Sequence, residues 1–354
     1  MLSVASALFS RLAPAEAISR REAGTLAVVA FLHVVALVVM TATEVDLVAK
    51  TAFLLAWALL NFFWLAVLRR PAAAALIALA LIAALILLSR FKHDKLWMTV
   101  DFVDLMIIDQ DTFAFLLTAL PGLRLPIALA AAAMSVLMVL AWRLDPFRMR
   151  IRTSALGGTL CVGSLVALSL AFPTDLYEDF FSQNYVSKFA RSGVEAIHEL
   201  AAHGYLEADA VAAERLKAAP VAACNPARKL PHIILLHDES SFDITAAPGI
   251  KVPAGYQEHF KSLDGTACKL GVEGATGPSW FTEYNVLTGL SARSYGRFAT
   301  SVTRIAAGRV ERGLPHSLTR CGYKTFTLYP FYGAFLSSRA FQTTAGIENY
   351  RDMR

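Results

Sequence analysis

Five stretches of the chain, approximately residues 23–43, 51–68, 71–88, 125–142 and 153–172, run without a single charged side chain. Each is long enough to cross the hydrocarbon core of a bilayer as an α-helix, which needs about 17–25 apolar residues. The composition agrees: 56% of the 354 residues are hydrophobic and 17% are charged, against about 45–50% and 25% in soluble domains. A soluble single-domain enzyme, a disordered chain and a disulfide scaffold are thereby excluded. The first apolar run follows Glu16 and Glu22 and is succeeded directly by further runs, a pattern unlike a cleaved signal peptide. The net charge of +5 is small, and the arginines cluster at the edges of the apolar runs. No nucleic-acid partner is expected.

The same arginines set an expected orientation. Arg11, Arg20 and Arg21 precede the first run, Arg69 and Arg70 fill the turn between the second and third, and Arg143, Arg148, Arg150 and Arg152 separate the fourth from the fifth. If all five runs span, these clusters share one side, which the positive-inside rule makes the cytoplasm. The first turn on the other side carries Glu44 and Asp46. The predicted topology is N-terminus in and C-terminal part out, with a transmembrane domain over 1–172, a helical linker over 173–230 and an extracytoplasmic domain over 231–354.

Residues 89–124 form the second external loop, with Asp101, Asp104, Asp109 and Asp111 set among large apolar residues. Either a helix lies in the interface with Trp97 at headgroup depth and the acids in water, or the acids form a patch that helps position an acceptor or lipid head. Cys161 falls inside the fifth run, where it serves packing. Cys224, Cys268 and Cys321 fall on the oxidising side, which leaves room for one disulfide and a spare thiol. No CxxC or HxxxH pair suggests zinc. His198 and His203 are five residues apart, the wrong spacing for one helical face, and read as solvated.

After the linker's mixed-charge helical pattern, the prolines of "PVAACNPARKLP" break the chain. The pattern then becomes α/β. "HIILLHDE" reads as a buried parallel strand, "ACKLGVEG" as a second strand, "SWFTEYNVLTGL" as a helix ended by a glycine, and "GYKTFTLYP" as a third strand. Ligands of open α/β sheets bind beyond the carboxyl ends of the strands, which draws attention to Asp238, Glu239 and the loop "GATGPS". A carboxylate at Glu239 suits a divalent cation. Thr276, flanked by Gly274 and Gly277, precedes a helix whose N-terminus favours an anion. The bland alternatives are a solvated acid and a simple helix cap.

Taken together, these segments resemble the alkaline-phosphatase/sulfatase superfamily, in particular its membrane branch of lipoteichoic acid synthases and phosphoglycerol transferases. "PHIILLHDESSFD" is similar to that branch's opening strand, where the Glu of a Glu-Ser pair binds the metal, which implies this role for Glu239. "GATGPSWFTEYNVLTGL" is similar to the nucleophile segment, which implies Thr276 as the catalytic nucleophile and a metal ligand. "LPHSLTRCGYKTFTLY" is similar to the branch's later Leu-Pro…Gly-Tyr-Lys strand entry. Five spans before an extracytoplasmic domain are also the branch's layout. A true sulfatase fits less well, since Thr276 cannot become formylglycine and Trp280 stands where that motif has arginine.

The resemblance implies five transmembrane helices followed by the N-terminal part of an alkaline-phosphatase-like α/β domain. The implied activity moves a phosphoglycerol-type head group from a membrane phospholipid to a periplasmic glucan or other cell-envelope acceptor. It would depend on Mn²⁺ or Mg²⁺, with Zn²⁺ as an alternative, in a bacterial inner membrane. Alternatives are a phosphoethanolamine transferase and a truncated, inactive membrane protein. Two departures bear on this. The branch's later Asp-His ligands have no counterpart up to Arg354, so the sequence is expected to be a fragment or a truncated product. Where lipoteichoic acid synthases carry Trp-x-Arg, the chain has Leu336 and, one place late, Arg339, the candidate for substrate phosphate.

Overall fold

The computed structural model describes residues 19–108, 122, 124–175, 178–203, 217, 230–238, 243–267, 271–273 and 279–353. The chain divides into two compact units, Met1–Phe102 with Pro121–Ile197, and Val103–Leu120 with His198–Arg354.

The first unit contains the five expected helices: α1 (Arg20–Thr43), α2 (Leu47–Leu68), α3 (Pro71–Leu96), α5 (Arg124–Leu144) and α6 (Ile151–Ala171); the short α4 (Phe102–Met106), after α3, falls at the division and belongs to the second unit from Val103 onward. All five are long and apolar enough to cross a membrane, and the chain is a membrane protein. Their ends follow local chemistry. A capping box starts α1, where Glu22 N–H donates to Ser19 Oγ and Ser19 N–H donates to the Glu22 carboxylate. Asp46 caps α2 by accepting from Ala49 N–H at 2.8 Å. Pro71 opens α3, where its missing N–H costs nothing.

Small residues let α3 approach its neighbours closely: Ala72, Ala73, Ala74, Ala75 and Ala78 are all buried. On α6, a Cβ added to Gly157 would come within 2.6 Å of the Phe62 ring, so glycine is what lets α2 and α6 meet there. Phe53, Trp57, Ile82 and Ile86 form the middle of this core. By contrast α5 buries none of its residues, the condition of a helix clothed in lipid.

The two ends of this unit differ in chemistry. At one end the arginine turns meet. Met149 N–H donates to Arg69 O, Arg70 donates to Asp145 O and lies over the Trp142 ring, and Asp145 accepts from Ala72 N–H at 2.8 Å, capping α3 from another loop. At the other end α7 (Tyr185–His203) docks against the α1–α2 turn. Glu44, 2% exposed, accepts from Ser187 Oγ at 2.5 Å and from Val186 N–H at 3.2 Å. Asn184 returns the contact by donating to Thr43 O and accepting from Val45 N–H. The first turns of this expected surface connector are therefore built into the core, where Tyr185 and Val186 are buried.

Residues 89–124 also depart from expectation. Helix α3 continues to Leu96, and Asp101 is buried rather than in water. Trp97 closes the helix in a left-handed conformation and is 71% exposed. Asp109 and Asp111 lie outside the described residues.

The second unit is mostly helical. Helix α8 (Ser279–Thr288) leads through a 3₁₀ stretch (Ala292–Ser301) into α9 (Val302–Ala306). Then come α10 (Leu314–Arg320), β1 (Phe326–Leu328), α11 (Ser338–Thr344) and β2 (Asn349–Arg351). The strands pair in parallel, Phe326 with Asn349 and Leu328 with Arg351, joined through α11 as a crossover demands. Tyr284 meets Tyr295 edge-on at 5.6 Å and packs beside Phe341, and all three are fully buried.

The expected third strand is thus β1, while β2 escaped prediction because three residues, Asn-Tyr-Arg, carry no readable alternation. The first expected strand needs correction. Residues 231–238 have no strand pairing among the described residues and are exposed, Ile234 at 93% and Leu236 at 85%. An apolar run becomes a buried strand only when other strands and helices cover it, and no described residue does so here. Of the described residues of the second expected strand only Ala267 pairs, antiparallel with Lys261, across a tight turn in which Asp264 accepts from Ser262 and Thr266; Cys268, Lys269, Leu270 and Gly274 lie outside the described residues. The architecture is a five-helix membrane unit and a mostly helical unit with a small two-stranded parallel sheet.

Candidate functional site

Helix α8 forms where the nucleophile-like segment predicts one. Gly289, at φ 72°, ends it by taking the left-handed conformation and donating its N–H to Asn285 O at 2.8 Å. Thr276, Gly274 and Gly277 lie outside the described residues, as does Glu239. Asp238 is exposed.

The start of α8 meets the carboxyl end of β1. Ser279, Trp280 and Glu283 of α8 line a cavity of about 20 Å³ together with Thr303, Tyr329 and the turn containing Leu336 and Ser338. That is room for about one water molecule. Glu283, 6% exposed, holds the helices together: its carboxylate accepts from Ser338 Oγ at 3.2 Å and from Gln342 Nε2 at 2.5 Å on α11. Ser338 Oγ accepts in turn from the Tyr350 hydroxyl at 3.3 Å. Burial, reinforced by the negative charges of Glu283 and Asp352, pushes the Tyr350 phenol far above its ordinary value. It stays a neutral donor at every working pH.

Leu336 and Ser337 both have positive φ, 49° and 55°, a conformation costly for residues with a Cβ. The turn is braced where Thr303 Oγ1 donates to Leu336 O at 2.9 Å. It delivers Arg339 to the first turn of α11. Arg339 donates to the Asp352 carboxylate, which is almost fully buried and also accepts from Gly333 N–H at 2.8 Å. The guanidinium lies 5.7 Å from the centre of the Tyr350 ring. The candidate phosphate contact is thus bound into the edge of the sheet, with 38% of its side chain exposed.

A second carboxylate, Glu273, sits immediately before the Thr276 loop. It accepts from Ser291 Oγ at 2.5 Å, Ala292 N–H at 2.8 Å and Asn285 Nδ2 at 3.0 Å. Burial works to raise its pKa, but these three donors and the charge of Arg293 outweigh that and lower it. Neither Glu273 nor Glu283 stood out in the sequence. The signal for Glu283 was an acid inside the aromatic run Trp-Phe-Thr-Glu-Tyr, where a charge must find partners.

Cys161 is a free, buried thiol on α6, and Cys321 is disulfide-bonded. His198 is exposed. Among the described residues no three His, Cys, Asp or Glu side chains converge as a metal-binding group. Comparison of the chain with protein-family models, with curated proteins and with solved structures returns no match.

Proposed function

We propose that the chain belongs to a membrane-tethered, sulfatase-like phosphotransferase that moves a phosphoglycerol-type head group from a membrane phospholipid to a cell-envelope acceptor. The observation that carries this is the junction of α8 with the sheet. Helix α8, which follows Thr276 in the sequence, opens against the carboxyl end of β1, where Tyr329 and the Leu336 turn line the cavity, the place where α/β proteins bind ligands.

In this reading the Thr276 hydroxyl oxygen forms a bond to phosphorus in line with the departing diacylglycerol oxygen. Its proton is released, and diacylglycerol leaves as the alcohol. An acceptor hydroxyl then attacks the phosphothreonine, restoring Thr276. Arg339 orients a phosphoryl oxygen. Glu239 and Thr276 offer hard oxygen donors of the type that Mn²⁺ or Mg²⁺ prefers, though two donors do not fill a shell. A bound divalent cation would supply the charge that lowers the hydroxyl pKa. The five helices keep the site beside an insoluble donor.

The arginine turns that meet at one end of the first unit support an N-in orientation in a bacterial inner membrane. The disulfide at Cys321 fits an oxidising exterior. A second reading, an external part that binds lipid or a partner without turnover, is favoured by the engagement of Arg339 with Asp352. One experiment separates the two. In the full chain reconstituted with phosphatidylglycerol and a glucan acceptor, Thr276→Ala should abolish transfer while insertion stays intact. Transfer by Thr276→Ala at the unmodified rate refutes the nucleophile, and a wild type without transfer favours the binding protein.

A further inference from the structure

We infer that the end of the first unit where the arginine turns meet is a binding site for the phosphodiester headgroup of an anionic phospholipid, in whichever leaflet that end lies. The site belongs to the first unit alone and owes nothing to the transfer chemistry proposed above. Arg143, Arg148, Arg150 and Arg152 fall within ten residues of one another. All four are exposed, and among the described residues their guanidinium groups make no hydrogen bond or ion pair. A guanidinium is a permanent cation whose planar fork of donors matches phosphate oxygens. Cations held this close repel one another, and an unpaired group of them is complementary to an anion.

The acids at this end do not neutralise them. Asp145 is 2% exposed, and its carboxylate accepts from Ala72 N–H at 2.8 Å and from Phe147 N–H at 3.0 Å. Glu22 is held in the Ser19 capping box. The loop that carries the arginines is also fixed in place. Met149 N–H donates to Arg69 O at 3.0 Å, Arg69 Nε donates to Met149 O at 3.3 Å, and Arg70 donates to Asp145 O. Arg148 and Arg150 therefore flank a residue gripped through both its backbone groups, with their Cα atoms at most about 7 Å apart. A backbone ordered in advance costs less to immobilise when a ligand binds.

The groups between the arginines select a lipid over a soluble anion. Trp142 and Leu144 on the last turn of α5, Met149 in the loop and Ile151 at the start of α6 are all exposed. Cations interleaved with bare apolar side chains, at the ends of helices long enough to span, match a charged headgroup with acyl chains beneath it. Orienting the helices asks only for positive charge near their ends. It does not ask for a loop bound down onto its neighbour or for acids drawn away into caps.

Native mass spectrometry of the full chain in mild detergent, titrated with phosphatidylglycerol or phosphatidylcholine, reads the site directly. The wild type should retain phosphatidylglycerol in preference to phosphatidylcholine. Combining Arg148→Gln, Arg150→Gln and Arg152→Gln should weaken phosphatidylglycerol retention on the order of 100-fold, at about fivefold for each cation removed, and leave phosphatidylcholine unchanged. Should the triple variant fail to insert, each single change carries the test with its own fivefold loss. Soluble glycerophosphoglycerol at the same concentration should displace little of the bound lipid. A wild type that does not prefer phosphatidylglycerol, or glutamine variants that retain it as the wild type does, overturns the site. Displacement by glycerophosphoglycerol as effective as that by the intact lipid overturns the membrane source, because the arginines would then be reading a soluble phosphodiester.

Discussion

At the scale of single residues, two carboxylates show how surroundings decide what an acid does. Glu44 is buried at the α1–α2 turn, and desolvation raises its pKa above the ordinary 4.5 despite bonds from Ser187, Val186 and Thr43. In Glu273 the balance falls the other way, and the pKa is lowered. The consequences for stability have opposite signs. A carboxyl with a raised pKa binds its proton more readily in the folded state. The contribution of Glu44 is therefore full below pH 4.5 and is lost as pH rises through the raised value. That of Glu273 is present above pH 4.5 and is lost as pH falls through the lowered one. Exchange at Val186 and Ala292, corrected for intrinsic rates and followed from pH 3 to pH 7, should show protection falling with pH at Val186 and rising at Ala292. Parallel profiles at the two amides would contradict this assignment. Exposed Asp264, held at about 2 by Ser262 and Thr266, keeps its turn formed well into the acid range.

Among the elements, the membrane helices were readable because their signal is redundant: length, absence of charge and flanking arginines all repeat it. What the pattern did not contain was which faces meet. Helices α2 and α6 pack where Gly157 lies under Phe62, and lipid offers no hydrophobic drive for that choice, only close fit. Replacing Gly157 with Val should cost about 1–3 kcal/mol by overpacking, measured as a lower unfolding midpoint in detergent. Adding Phe62→Ala should return most of the loss, whereas additive effects would mean the two do not touch. Strand β2 and α11 were poorly legible for the opposite reason. Seven helical residues and one three-residue strand are too few to establish a period, and tertiary contacts such as Glu283 with Gln342 hold α11 instead.

For the whole molecule, the division at Ile197 and His198 places the first turns of the connector with the membrane helices, tied down through Glu44, Asn184 and Glu195. Protease added to spheroplasts should therefore attack the second unit while Tyr185–Glu195 stay with the membrane-protected fragments. The turns at Arg69 and Arg148 should be cut only after the membrane is opened. The reverse order of cleavage would invert the proposed orientation.

The sequence alone determined that the chain is a membrane protein, where its five long apolar helices lie, and where α8 begins and stops. These properties depend on the composition of contiguous residues, and contiguity is what a sequence displays. Tertiary structure alone decided that 231–238 has no strand partner among the described residues, that Glu44 caps α7 from across the unit, and that Glu273 grips the far end of α8. Each joins residues between 12 and 143 positions apart or depends on the pairing a segment lacks among the described residues. The energy of burying an acid or an apolar run is set by the neighbours that folding brings to it.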